Sequence, residues 1–205
     1  MIDDKDPSNS TLHFILWQAL KSYSTDELIV FLKDSDYIVR TAAAKELHIR
    51  GSPEIFEEAQ HFFSDEKDCV REIGAFLLGQ LGTPTFPYRE KSIPILVDLL
   101  EKDNSFEVRS AAAAALGHLG SERPIEDEAV CTSLLNRATD TSADVRACVA
   151  YALSSLKYST RIEQTLYQLC SDENEEVREW ATVSLEIFSE ENERVSSTPN
   201  SRRLS

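Results

Sequence analysis

The chain has 205 residues, with 36 Asp and Glu against 21 Lys and Arg and a formal net charge of −15. Its 41% apolar and 28% charged residues are a globular balance, which argues against disorder throughout and for one or at most two domains with a sizeable core. The acid excess argues against nucleic-acid binding, which needs clustered Lys and Arg to neutralise phosphate, and points to a basic or neutral partner.

The opening Met1-Ile2-Asp3-Asp4-Lys5-Asp6 is too acidic for the first region of a secretory signal. No run approaches the roughly 18 apolar residues of a membrane span, so a soluble, cytoplasmic protein is expected. Residues 1–9 are expected to be disordered. Residues 10–23 place Leu12, Ile15, Leu16, Ala19, Leu20 and Tyr23 on one face, the pattern of an N-terminal capping helix over the first repeat.

From residue 24 the chain repeats. VRTAAAKELHIRG (39–51), VREIGAFLLGQLG (70–82), VRSAAAAALGHLG (108–120), VRACVAYALSSLK (145–157) and VREWATVSLEIFS (177–189) align without gaps. Taking Arg40, Arg71, Arg109, Arg146 and Arg178 as position zero, Val stands at minus one and Leu at plus seven in all five. Small residues dominate at plus three and plus four. That is a helical spacing whose small residues let neighbouring helices approach closely.

A second helical pattern precedes each of these. Ser24 and Glu27 form a capping-box pair, Ser52-Pro53 opens residues 54–63, Ser92 precedes the apolar run 93–100, and Thr160 with Glu163 makes another box. Asp36, Ser105, Ser142 and Asn174 are placed to start the second helices, with Lys67 the exception. Gly51, Gly82 and Gly120 are placed as their C-terminal caps. The predicted architecture is an all-α, right-handed solenoid of five helical hairpins spanning 24–189, behind one capping helix.

An Asp stands six residues before each Arg, at Asp34, Asp65, Asp103, Asp140 and Asp172. Recurrence at fixed spacing reads as a structural ladder that satisfies loop amides and bridges repeats, not as a catalytic array. The insert 82–89 reads as a connector with Phe86 and Tyr88 tucked in, or as a protruding contact loop. Residues 190–205 hold only Val195 and Leu204 as sizeable apolar residues and are expected to be disordered. Cys69, Cys131, Cys148 and Cys170 form no C-x-x-C pair and read as small buried or half-buried apolar residues.

The D-x5-R spacing, the Val before the Arg and the A-x-x-L-G ending resemble HEAT repeats of the short bacterial kind labelled phycocyanobilin-lyase HEAT-like. DELIVFLKD (26–34), AKELHIRG (44–51), FFSDEKDCVREIGAFLLGQLG (62–82) and VREWA (177–181) are also similar to the enterobacterial YibA-like HEAT proteins. That resemblance implies association with Rhs elements and an immunity role against Rhs toxin tips, although those relatives are longer.

No catalytic residues, cofactor or metal are expected. His13, His48, His61 and His118 are followed by Phe, Ile, Phe and Leu, so the His-Glu pairs of a HEAT-type di-iron hydroxylase are missing. A HEAT-type DNA glycosylase would need a basic groove, and a bilin lyase a pigment pocket the residues do not point to. No G-x-S-x-G, G-x4-G-K or G-x-G-x-x-G motif is present. What remains is protein binding, either by an immunity protein that masks a basic toxin domain or by a general assembly scaffold, monomeric when free.

The resemblance implies that the second helices line the concave side. Their face opposite the core is centred on minus two, plus two, plus five and plus nine. This gives Glu107, Asp144 and Glu176 at minus two, Ile73, Cys148 and Trp180 at plus two, and Phe76, Tyr151 and Val183 at plus five. Glu72 and Glu179 flank them at plus one. Aromatics anchor an interface and carboxylates steer its partner.

Overall fold

The computed structural model describes the backbone of residues 7–197 and the side chains of residues 11–189. Helix α1 (Pro7–Leu20) is followed by five hairpins: α2 (Thr25–Phe31) with α3 (Tyr37–Arg50), α4 (Pro53–His61) with α5 (Asp68–Gln80), and α6 (Arg89–Lys102) with α7 (Phe106–Gly120). The last two are α8 (Glu128–Arg137) with α9 (Ala143–Leu153), and α10 (Thr160–Leu169) with α11 (Glu175–Ser197). No strand occurs among the described residues; one parallel bridge joins Ile125 to Leu156.

The repeat columns form the core. Val70, Val108, Val145 and Val177 are buried, as are Ala43, Ala44, Ala112, Ala113, Val149, Ala150 and Ala181. The second helices stack directly on one another from α5 to α11, whereas first helices touch their neighbours less. The exposed side of this more closely packed row is the inner face that the resemblance implies. Its spacing depends on small residues: a Cβ on Gly79 of α5 would stand 2.5 Å from Cβ and 2.6 Å from Cα of Ala115 on α7.

Ser24 and Glu27 form the expected capping box, and Ser52 with Pro53 opens α4. Two other starts shift. Ser159, not Thr160, caps α10, accepting from Ile162 N, and Glu163 instead accepts from the Tyr158 hydroxyl. Helix α6 begins at Arg89, so Ser92 is an interior residue, fully buried, and Pro94 is accommodated within the same helix. Gly51 and Gly82 hold the expected left-handed backbone, with φ of 62° and 73°. Gly120 does not: it closes α7, and its constraint is contact, since a Cβ there would meet the Ser155 carbonyl oxygen at 2.4 Å.

Helix α1 packs on α3 through a rotated face that keeps Leu16 and Leu20 of the expected set and leaves Leu12, Ile15, Ala19 and Tyr23 exposed. Leu12 and Ile15 are 50% and 59% exposed, while His13, Leu16, Trp17 and Leu20 turn inward. Polar bonds set that rotation: Trp17 Nε1 donates to Glu46 Oε2 at 3.0 Å, and His13 Nε2 stands 3.1 Å from Thr41 Oγ1. The helix also covers 7–9, which composition assigned to a disordered start. At the other end α11 continues to Ser197, eight residues past the expected limit of the array. Glu190, Glu191, Glu193 and Arg194 are good helix formers, and a packed helix extends at little cost. The rest of the two expected disordered ends, 1–6 and 198–205, lies outside the described residues.

The insert 82–89 is a packed connector. Phe86 and Tyr88 are half-buried, Tyr88 stacks on Phe56 at 4.6 Å, and Arg89 donates to the carbonyls of Leu119 and Arg123.

Candidate functional site

The Asp/Arg columns are the mould for the inner face. In all five repeats the Asp carboxylate accepts from the amide two residues ahead, at 2.8–3.0 Å. In all five, Arg Nη1 donates to the carbonyls five and six residues back, which pins the turn between the two helices of the hairpin. Between repeats the guanidinium then grips the next Asp with two bonds: Arg71 on Asp103, Arg109 on Asp140, Arg146 on Asp172, each at 2.7–3.0 Å. These forks are nearly dry, Asp140 being 2% exposed at its side chain. Burial works against the charged forms of Asp103 and Asp140, but their arginines and turn amides outweigh it, so both carboxyls are held below the usual range. Asp172 is lowered chiefly by Arg146. Arg40 and Arg178 keep the carbonyl bonds but, among the described residues, grip no carboxylate.

On the inner face, α7, α9 and α11 carry a file of rings. Tyr151 packs edge-on against His118 at 5.4 Å and against Trp180 at 5.2 Å, with its hydroxyl 3.1 Å from His118 Nδ1. Trp180 is 38% exposed and Val183 42%, while Tyr151 is half-buried. Exposed carboxylates of Asp144, Glu176 and Glu179 border the file. Burial, then Glu176 and Asp144, pushes the half-buried Cys148 thiol up to about 12, so it stays protonated and serves as apolar filling. The −2 and +2 columns thus do converge, around Cys148.

The N-terminal half of the face differs. Ile73 is buried at 6% and belongs to the core, because α5 turns its plus-two position toward α3. The expected exposure is thereby corrected; the small accessible part of Ile73 lines the groove between α3 and α5. Phe76 is half-buried, edge-on to His48 at 5.9 Å. Glu107 is half-buried and accepts from the Ser105 hydroxyl at 2.6 Å. Burial pushes the Glu72 carboxyl up, opposed by the Arg40 charge and reinforced by Glu107. Here α3 and α5 leave a groove of about 500 Å³ lined by His13, Arg40, Lys45, His48, Glu72, Ile73, Phe76 and Gln80 among others. The columns −2, +2 and +5 pass over His48, Gln80 and His118. The last two occupy plus nine, the fourth column of the same face, which is where a signal for them lay.

Residues 57–154, from α4 through α9, match the HEAT repeats family. The chain folds as a HEAT-like solenoid. Over 172 residues it is 30% identical to protein YibA of Escherichia coli K12, covering 84% of this chain and 61% of that protein, so the chain spans about three-fifths of the relative's length. The X-ray structure of the E. coli YibA protein superposes with a TM-score of 0.53 at 25% identity, covering 89% of this chain and 77% of the other. The complex of CpcE and CpcF of phycocyanin lyase from Nostoc sp. PCC7120 aligns with a TM-score of 0.62 at 20% identity, over 78% of this chain and 97% of that one. A designed armadillo repeat protein in complex with peptide (KR)4 gives 0.55 at 19% identity, over 91% and 95%. The last two likenesses carry the fold alone. Among the described residues no group of three His, Cys, Asp or Glu side chains could hold a metal ion, and no helix is long and apolar enough to cross a membrane.

Proposed function

We propose that this solenoid is a non-catalytic binding module that receives a basic protein domain on the α7–α9–α11 part of its inner face, and that the partner is a toxin domain it neutralises in the cytoplasm. The observation that carries the binding face is the file Trp180–Tyr151–His118 beside Asp144, Glu176 and Glu179. A partly exposed Trp on a rigid helix supplies apolar area at low entropic cost, and carboxylates around it attract and orient cationic groups. That a designed solenoid of similar fold holds a (KR)4 peptide is in keeping with a basic partner. The toxin assignment rests on what the resemblance to YibA-like proteins implies, an Rhs-linked immunity role, and the 30% identity to protein YibA is in keeping with that resemblance. Four free cysteines fit a reducing compartment.

The test is co-expression with the C-terminal toxin domain of an Rhs protein from the same genome. The chain is expected to restore growth and to co-purify with the toxin as a stable complex, and Trp180→Ala to lose both. Growth arrest unrelieved by the folded wild-type chain contradicts the immunity role. A stable complex with a non-toxic assembly protein instead would make the chain a general scaffold.

A further inference from the structure

Helices α3 and α5 meet at their C-terminal ends. At the closed end Gly82 N donates to the His48 carbonyl at 2.9 Å, and a Cβ on Gly51 would stand 3.0 Å from Gly82 Cα. Toward their N-terminal ends the inter-repeat fork is absent: Arg40 has Asp65 downstream of it and, among the described residues, does not grip it. The groove of about 500 Å³ runs along both helices, from Arg40 and Cys69 to His48 and Gln80.

Resting on the binding-module reading above, we propose that the groove takes an Asp or Glu side chain presented by the protein partner. Its carboxylate would lie on the Nε–Nη2 edge of the Arg40 guanidinium, which grips no carboxylate among the described residues, with the neighbouring apolar part of the partner against Ile73 and Phe76. Arg40 is only 7% exposed, and Nη1 is already fixed on the carbonyls of Asp34 and Ser35 at 2.8 and 3.0 Å. The remaining edge, Nε with Nη2, is the one with which Arg71, Arg109 and Arg146 each hold a carboxylate. A guanidinium that is both poorly hydrated and pre-oriented gains most from a planar anion. Lys45 at the rim adds a second positive charge, and Phe76 and Ile73 give an apolar wall. Glu72 in the same groove opposes an incoming acid, and burial makes it readier to take a proton. The overall negative charge opposes it weakly, since charges beyond about 8 Å are largely screened at physiological salt. The inner face would then be bipolar, with a cationic seat at α3–α5 and an acidic aromatic stretch at α7–α11, which sets the direction in which the partner lies.

The test is an amide chemical-shift titration of the full chain with acetyl-Phe-Glu-amide, acetyl-Phe-Gln-amide and succinate. The Glu peptide is expected to bind about tenfold more tightly than the Gln peptide and to shift Arg40, Lys45 and Phe76. Arg40→Lys should abolish that preference, Lys45→Gln weaken it about threefold, and Glu72→Gln tighten it about threefold. The Lys45 and Glu72 variants keep the test valid if loss of the Arg40 carbonyl bonds unfolds the first hairpin. Equal binding of the two peptides, no saturable shift, or shifts confined to the Trp180 end overturn the proposal. Succinate binding as tightly as the Glu peptide also overturns it, in favour of a free small carboxylate. No toxin domain is present in this titration, so its failure is separable from failure of the toxin reading.

Discussion

A Cβ on Gly117 would stand 2.5 Å from Cε1 of Tyr151. The bare backbone of α7 at that point lets Tyr151 lie across from α9 and reach His118 on one side and Trp180 on the other. Gly117→Ala should therefore displace the ring file while leaving the helices in place. Helix propensity favours Ala by about 1 kcal/mol, but overpacking costs about 1–3 kcal/mol, for a small net loss. Gly79→Ala should cost more, because its Cβ would strike the backbone of Ala115 rather than a side chain that can turn. Urea midpoints of the two variants check the order, and a Gly79 variant as stable as the Gly117 variant contradicts it.

The forks make a graded prediction along the ladder. Arg109→Ala removes two bonds to a nearly dry Asp140 and two to the turn carbonyls. Arg137 remains 3.2 Å from Asp140 and shares the burden, so a loss of about 3 kcal/mol is expected, at the low end for a broken buried pair. Arg40→Ala, which forfeits the two carbonyl bonds and a cation–π contact with Tyr37 at 5.9 Å but no ion-pair fork among the described residues, should cost about 1–2 kcal/mol. Denaturant unfolding of the two variants distinguishes them.

Acid should destabilise the chain in two stages. Burial lowers the pKa of His48 and His118, so below about pH 6.5 the unfolded state takes up protons that the folded state refuses, and stability falls. Asp103, Asp140 and Asp172 are also held low, so the stability they contribute is present above about pH 4 and is lost as pH falls through their folded values. Urea midpoints between pH 7 and pH 3 should show both declines. His48→Gln with His118→Gln should remove the first and leave the second.

Most of the fold was legible because the repeat states each structural requirement five times. Val at minus one, small residues at plus three and four, and the Asp/Arg pair all describe one turn and one interface, and Asp140 with Arg109 shows what the spacing is for. What was not legible depends on a single contact. Nothing in periodicity says that the Trp17 indole finds Glu46, which rotates α1 and leaves Leu12 and Ile15 outside. Likewise Ile73 and Trp180 share a column, but α5 packs between two helices that bury the first, while the second remains 38% exposed on α11. The inner face read as one acidic strip from composition; the local groups divide it, because Arg40 and Lys45 sit at one end and Asp144, Glu176 and Glu179 at the other.

Steering is separable from anchoring on that face. Asp144→Lys with Glu176→Lys should slow association with a basic partner several-fold and flatten its dependence on ionic strength, with a smaller effect on dissociation. Stopped-flow association at two salt concentrations reads both. Both side chains are exposed, so the urea midpoint should barely move.

The central claim is that the α7–α9–α11 face binds a protein partner through Trp180. Calorimetric titration of the toxin domain of an Rhs protein from the same genome into the wild-type chain and Trp180→Ala tests it most directly. The account predicts saturable binding by the wild type and a loss of about 2 kcal/mol, roughly thirtyfold in Kd, for a Trp180→Ala chain with an unchanged urea midpoint. Equal affinity of the two chains, or a complex in which Trp180 and Tyr151 stay open to solvent while the convex first helices make the contact, would contradict it.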